Sequence, residues 1–126
     1  MDSGMFYGIQ KGAIAALQSG PDWFEKLNVT YAKRRELIFT LADNLGCTYD
    51  RNTAGLFVWA KLPQGIANAE AYVDSILYDK HIFLTPGTVF GSAGEGYVRF
   101  SLCCNETMIT QAIDRLIGSK TLNLEP

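Results

Sequence analysis

The chain is poor in the residues that build metal sites and covalent frameworks: among 126 residues there is one histidine, His81, and three cysteines, Cys47, Cys103 and Cys104. An odd number of cysteines with no C-x-x-C spacing is not a disulfide scaffold. Adjacent residues such as Cys103 and Cys104 are also badly placed to bridge each other, so all three read as buried thiols of a reducing cytoplasm. No cysteine stands at a metal-ligand spacing from His81, which argues against structural zinc. An enzyme using Cys103 or Cys104 as nucleophile lacks an evident general base. Positive charge is scarce too. Eleven lysines and arginines against thirteen acidic residues leave a net charge of −2, without the basic footprint that nucleic acid requires. No apolar run approaches the roughly 20 residues of a membrane span, no basic amphipathic stretch suggests a membrane surface, and no signal-like leader is expected. Internal repeats and low-complexity linkers are absent as well. What remains is one domain's worth of chain, long enough to bury a core unaided.

The hydrophobic pattern predicts an α+β fold. A helix is expected over 4–19, with Asp2 or Ser3 as cap and with Phe6, Ile9, Ala13, Ile14 and Leu17 on one stripe. Gly20 and Pro21 should end it, the glycine in a left-handed cap. A second, long helix is expected from Asp22 to Leu45, buried through Leu27, Tyr31, Ile38, Leu41 and Leu45 and stopped by Gly46. At 1.5 Å per residue it is long enough to link two domains as well as to pack within one. The apolar run from Leu56 to Leu62 reads as a central strand. Residues 69–80 return to helical spacing, capped by Asn68, with Ala69, Tyr72, Val73, Ile76 and Leu77 inward. Short strands are expected at 82–84 and 97–102. Asn105 then caps a last helix, with Met108, Ile109, Ala112, Ile113, Leu116 and Ile117 in its stripe and Gly118 at its close. The expected architecture is a small, mostly antiparallel sheet covered by helices, with a long helical pair at the amino end.

One residue stands out in this frame. In Tyr97-Val-Arg-Phe-Ser-Leu102 the alternation puts Val98, Phe100 and Leu102 on one face and Tyr97, Arg99 and Ser101 on the other. An arginine in mid-strand is costly unless its fork of donors meets an anion, and a carboxylate accepts two parallel hydrogen bonds from it. From the pattern alone, a solvated arginine or one paired with a nearby Asp or Glu remains an open alternative. Upstream, Thr85-Pro-Gly-Thr-Val-Phe-Gly91 is a turn in which Pro86 fixes one backbone angle and Gly87 permits another, letting backbone approach a ligand; an ordinary turn is the alternative. The loop 91–96 holds three glycines, but it lacks the lysine of a phosphate loop and precedes a strand. Lysines 11, 26, 33, 61, 80 and 120 fall where solvated lysines are expected, and no pair of carboxylates suggests acid–base work.

Four stretches together resemble the C-terminal part of class I/II, fold-type I aminotransferases that use pyridoxal 5'-phosphate. These are Asp2-Ser-Gly-Met-Phe6 with Gln10, Tyr31-Ala-Lys-Arg-Arg-Glu-Leu37, Gly55-Leu-Phe-Val-Trp-Ala-Lys-Leu-Pro63, and the Thr-Pro-Gly-x-x-Phe-Gly turn with Val98-Arg-Phe-Ser101. Their order and spacing cover nearly the whole chain. The start resembles enzymes acting on aspartate or LL-diaminopimelate. The resemblance implies that Arg99 binds the α-carboxylate of an amino acid or 2-oxo acid substrate, and that Pro86, Gly87, Phe90 and Gly91 border the active site. It further implies that residues 1–20 are a helix leaving a cofactor domain, residues 21–126 the small domain, and the intact parent a homodimer. The lysine that anchors the cofactor in relatives, in a Ser-x-x-Lys or Ser-Lys context, has no counterpart here. The fragment is therefore expected to bind no pyridoxal phosphate, to supply no catalytic or metal-binding residue, and to be inactive alone. The competing expectation is a non-catalytic α+β module that binds a small acid or a partner. Such a module should cover its amino-terminal apolar stripe, whereas a fragment leaves part of it exposed.

Overall fold

The computed structural model describes residues 4–121. The chain divides into two compact units, one ending at Thr30 and the other starting at Tyr31. In the first unit, α1 (Tyr7–Leu17) begins after Phe6 without a side-chain cap and ends at Gln18 in a right-handed conformation. Asp2 and Ser3, the expected caps, lie outside the described residues. Gly20 does not take the left-handed role expected of it. Pro21 instead opens α2 (Pro21–Asn44), as the first helical position suits a residue with fixed φ and no N–H. No residue of α1 is buried, and its stripe from Phe6 to Leu17 is exposed throughout.

The unit from Tyr31 onward holds the core. A four-stranded antiparallel sheet runs in the order β1 (Thr48–Tyr49), β2 (Phe57–Lys61), β4 (Tyr97–Ser101), β3 (Thr85–Pro86). Its buried face carries Val58, Ala60, Val98 and Phe100. Against these residues pack Ile38 and Leu41 from α2, Val73 and Ile76 from α3 (Ala69–Lys80), and Ile109, Ile113 and Leu116 from α4 (Glu106–Thr121). Both predicted caps are present: Asn68 Oδ1 accepts the Ala71 N–H at 2.8 Å and Asn105 Oδ1 that of Met108 at 2.9 Å. Gly46 stops α2 at φ 71°, a left-handed angle that suits glycine.

Several expectations are corrected. Strand pairing falls at Thr85–Pro86 rather than at 82–84, although Ile82 and Leu84 are buried and Phe83 is exposed as an extended segment would have them. Pro86 is tolerated because β3 is an edge strand. Gly118 does not close α4, which continues to Thr121; one interior glycine costs a helix about 1 kcal/mol, which packing can offset. Met108 and Ile117 are exposed rather than inward. The two-residue β1 carried no sequence signal. Of the thiols only Cys47 is buried, while Cys103 and Cys104 are exposed in the turn after β4.

The paired arginines of α2 hold the strand ends. Arg34 donates to Glu106 Oε1 at 2.9 Å and to the Leu102 carbonyl at 3.2 Å, tying the exit of β4 to the start of α4. Arg35 donates to the Gly55 carbonyl and to Thr53 Oγ1, fixing the entry to β2.

A candidate carboxylate site on the open face of the sheet

Helices cover one face of the sheet, and the other face is left to β2 and β4. Phe57, Trp59 and Lys61 point there from β2, with Tyr97, Arg99 and Ser101 beside them on β4. Trp59 lies directly opposite Arg99, Phe57 opposite Ser101, and Thr85 pairs with Arg99 from the other side. Arg99 is thus flanked by a paired strand on each side, at the centre of the face.

Its guanidinium has an unusual environment. The Cζ atom lies 4.2 Å from the centroid of the Phe57 ring and 4.3 Å from that of Phe90. Phe57 reaches it on the diagonal of the β2–β4 ladder, the second-neighbour distance at which aromatic side chains still touch. The Nε–H is buried and has no hydrogen-bond partner. Among the described residues no carboxylate pairs with Arg99, so the ion-paired alternative does not apply. A buried unpaired donor is costly and asks for an acceptor. Among the described residues the charge meets two aromatic rings, and Arg99 also lines a groove.

The groove, about 490 Å³ in volume, adjoins the site on the side of α2 and α4: Arg99, Thr85 and Ser101 line it with Phe100, Ile38 and Ile109, whereas Phe57, Trp59 and Phe90 do not. No lysine lines it.

The turn read from sequence as a border of the site delivers Phe90. Pro86 pairs with Val98, after which Gly87–Phe90 forms a single 3-10 turn and Gly91 reverses the chain at φ 121°. Gly87 is buried against the backbone of Gly94 and the tip of the Trp59 ring, 3.0 Å from where a Cβ would stand. Phe90 then meets the Trp59 ring edge-on at 5.8 Å, and Trp59 stacks on Tyr97 at 5.5 Å. The structure therefore brings Phe90 onto Arg99 and packs Gly87 against Trp59 and Gly94, while Pro86 pairs with Val98 before the turn and Gly91 follows it. The sequence placed Tyr97 on the face of Arg99 but did not single out Phe57 and Trp59 as neighbours of it. Their signal was the alternation of Phe57 and Trp59 with Val58 and Ala60, hidden inside a run read as uniformly apolar.

A fold of this kind accommodates many functions, so the comparison with known proteins carries weight here. Residues 7–116 match the model of the family described as aminotransferase class I and II. The chain belongs to that family. Among its relatives, the LL-diaminopimelate aminotransferase of Oleidesulfovibrio alaskensis is 36% identical over 116 residues, covering 92% of this chain and 30% of that enzyme. The LL-diaminopimelate aminotransferase of Halothermothrix orenii is 39% identical over 119 residues, covering 94% and 30%. A substrate-bound BacF structure from Bacillus subtilis superposes with a TM-score of 0.78 at 31% identity, covering 96% of this chain and 30% of that one. The chain thus spans about 30% of the length of the relatives it matches, as a fragment of a fold-type I aminotransferase. Among the described residues no helix is long and apolar enough to cross a membrane, and no cluster of three or more metal-ligating side chains is found.

Proposed function

We propose that this chain is the small, C-terminal domain of a pyridoxal-phosphate-dependent aminotransferase and that Arg99 binds the α-carboxylate of its amino acid or 2-oxo acid substrate. The observation that carries the reading is the unpaired guanidinium: an arginine with no counter-ion among the described residues, with a buried N–H lacking an acceptor, in the lining of a groove. A carboxylate supplies both the charge and the acceptors through two parallel hydrogen bonds. Fixing the carboxylate fixes the rest of a small substrate, so Arg99 contributes by orientation rather than by moving a proton. Residues 21–126 form the small domain in this reading, and residues 1–20 the helix leaving the cofactor domain. The similarity to LL-diaminopimelate aminotransferases favours an amino acid of the LL-diaminopimelate type. The parent works as a cytoplasmic homodimer.

Pyridoxal phosphate is the electron sink of such reactions, and a protein must give it an anchor. The described residues do not fit that task, because none of their lysines lines the groove that holds Arg99. The anchor belongs to the cofactor domain, and the fragment alone is inactive. The exposed stripe of α1 supports the fragment over a self-sufficient acid-binding module, which would cover it.

The test is Arg99→Lys in the gene-length protein that contains this chain. KM for the amino acid and the 2-oxo acid should rise about tenfold or more, since lysine replaces the planar fork with a point charge. An unchanged KM would remove Arg99 from the substrate site.

A further inference from the structure

An arginine that waits for an anion must be held in one orientation, and among the described residues no hydrogen bond to its Nε and no ion pair does so. What touches the guanidinium instead is a pair of rings, at 4.2 and 4.3 Å from Cζ. They come from different neighbours of β4: Phe57 from β2, and Phe90 from the turn that follows β3. The two rings make no ring contact with each other. Phe90 is in turn braced by the edge of Trp59, and Trp59 by Tyr97. A ring face attracts a cation through its quadrupole but offers no acceptor. Anion contact is thereby left to the N–H edge in the plane of the guanidinium.

We propose that Phe57 and Phe90 are positioning residues that hold the Arg99 guanidinium by its faces, and that the resulting flat slot selects planar carboxylates over tetrahedral anions. This rests on the reading that Arg99 takes a carboxylate. In-plane approach suits a carboxylate, whose two oxygens and carbon lie in one plane and meet two N–H groups side by side. A phosphonate or sulfonate projects a third oxygen out of that plane, toward a ring that cannot donate to it.

The test uses the full chain, with the Arg99 Nε–H followed by nitrogen-edited NMR. Two probes of like charge and differing shape are titrated: pyruvate, and monoanionic methyl acetylphosphonate, which is tetrahedral at phosphorus. Pyruvate should bind about tenfold or more tightly than the phosphonate. Phe90→Leu and Phe57→Leu should each speed exchange of the Arg99 Nε–H with water and narrow that preference. Phe90→Tyr, which keeps the ring, should restore both. Pentafluorophenylalanine at position 90 keeps the ring's shape and reverses its quadrupole, so it should behave as leucine does; this separates positioning from packing. Equal affinity for the two probes would overturn the slot. A preference and exchange rate unmoved by the leucine and fluorinated variants would overturn the positioning role, leaving Arg99 as a carboxylate ligand. No response of Arg99 to pyruvate would overturn the carboxylate reading and this proposal together.

Discussion

Gly87 and Gly94 occupy each other's side-chain space: a Cβ built on either would fall on the backbone of the other, well inside van der Waals contact. Both glycines are buried. Neither needs a left-handed φ, so glycine is required here by close approach rather than by backbone freedom. The contact closes the loop between β3 and β4, and that loop delivers Phe90 to Arg99.

Gly87→Ala should therefore destabilise the chain by about 1–3 kcal/mol, the usual cost of forcing atoms into a filled site. Gly94→Ala should cost a similar amount, and the double variant less than the sum, because one displacement relieves both clashes. Urea unfolding of the three variants checks this. Strict additivity would mean that the two positions do not share a contact.

The two units should respond differently to truncation of apolar side chains. Leu102 is fully buried at the exit of β4, so Leu102→Ala should cost about 2–5 kcal/mol. Leu17 is 87% exposed, and Leu17→Ala should stay within about 0.5 kcal/mol of the parent chain. Hydrogen exchange gives a parallel measure: amides of α1 should exchange far faster than those of β2 and β4. Protection of α1 equal to that of β4 would contradict this.

Alkaline pH should weaken the fold through Cys47. Burial pushes its thiol from an ordinary 9.0 up to about 11. The folded chain then keeps a proton that the unfolded chain loses. Stability is complete below about pH 9 and declines as pH rises through about 11, the sign linkage gives when the unfolded state binds fewer protons. The Tyr49 phenol, raised to about 12 by burial and by its bond to Asp43, adds the same sign at higher pH. Urea midpoints between pH 8 and 10.5 should fall more steeply for the parent chain than for Cys47→Ala. Equal slopes would show that the thiol does not titrate differently on folding.

Acid acts through Glu106 in the opposite sense. A hydrogen bond from its own backbone N–H, and then Arg34, hold its carboxyl below the ordinary 4.5. A lowered folded pKa gives stability that is present above about pH 4.5 and lost as pH falls through the folded value. Glu106→Gln should lower stability at neutral pH and flatten the acid slope. Arg34→Met should flatten it in part and also loosen the exit of β4, where Arg34 holds the Leu102 carbonyl. An acid slope unchanged in Glu106→Gln would assign it to other carboxylates.

Local rules act within a few residues, and what depended on them was legible in the chain. The Asn68 and Asn105 side chains reach N–H groups three residues away, so both helix starts could be read directly. The alternation along Tyr97–Ser101 placed Arg99 opposite the core-facing residues for the same reason. The order of helices and strands, and with it the α+β architecture and the family resemblance, also lay in the sequence. Tertiary structure decided where β3 pairs, because Ile82 and Leu84 fit an extended segment whether or not it finds a ladder partner. It decided that Cys103 and Cys104 face solvent while Cys47 does not. Above all it decided what surrounds Arg99. Phe57 lies 42 positions before Arg99 and Phe90 lies nine before it, and no local pattern could bring both rings onto one guanidinium. Strand order and a glycine–glycine contact did that, since only folding converts separations along the chain into distances in space.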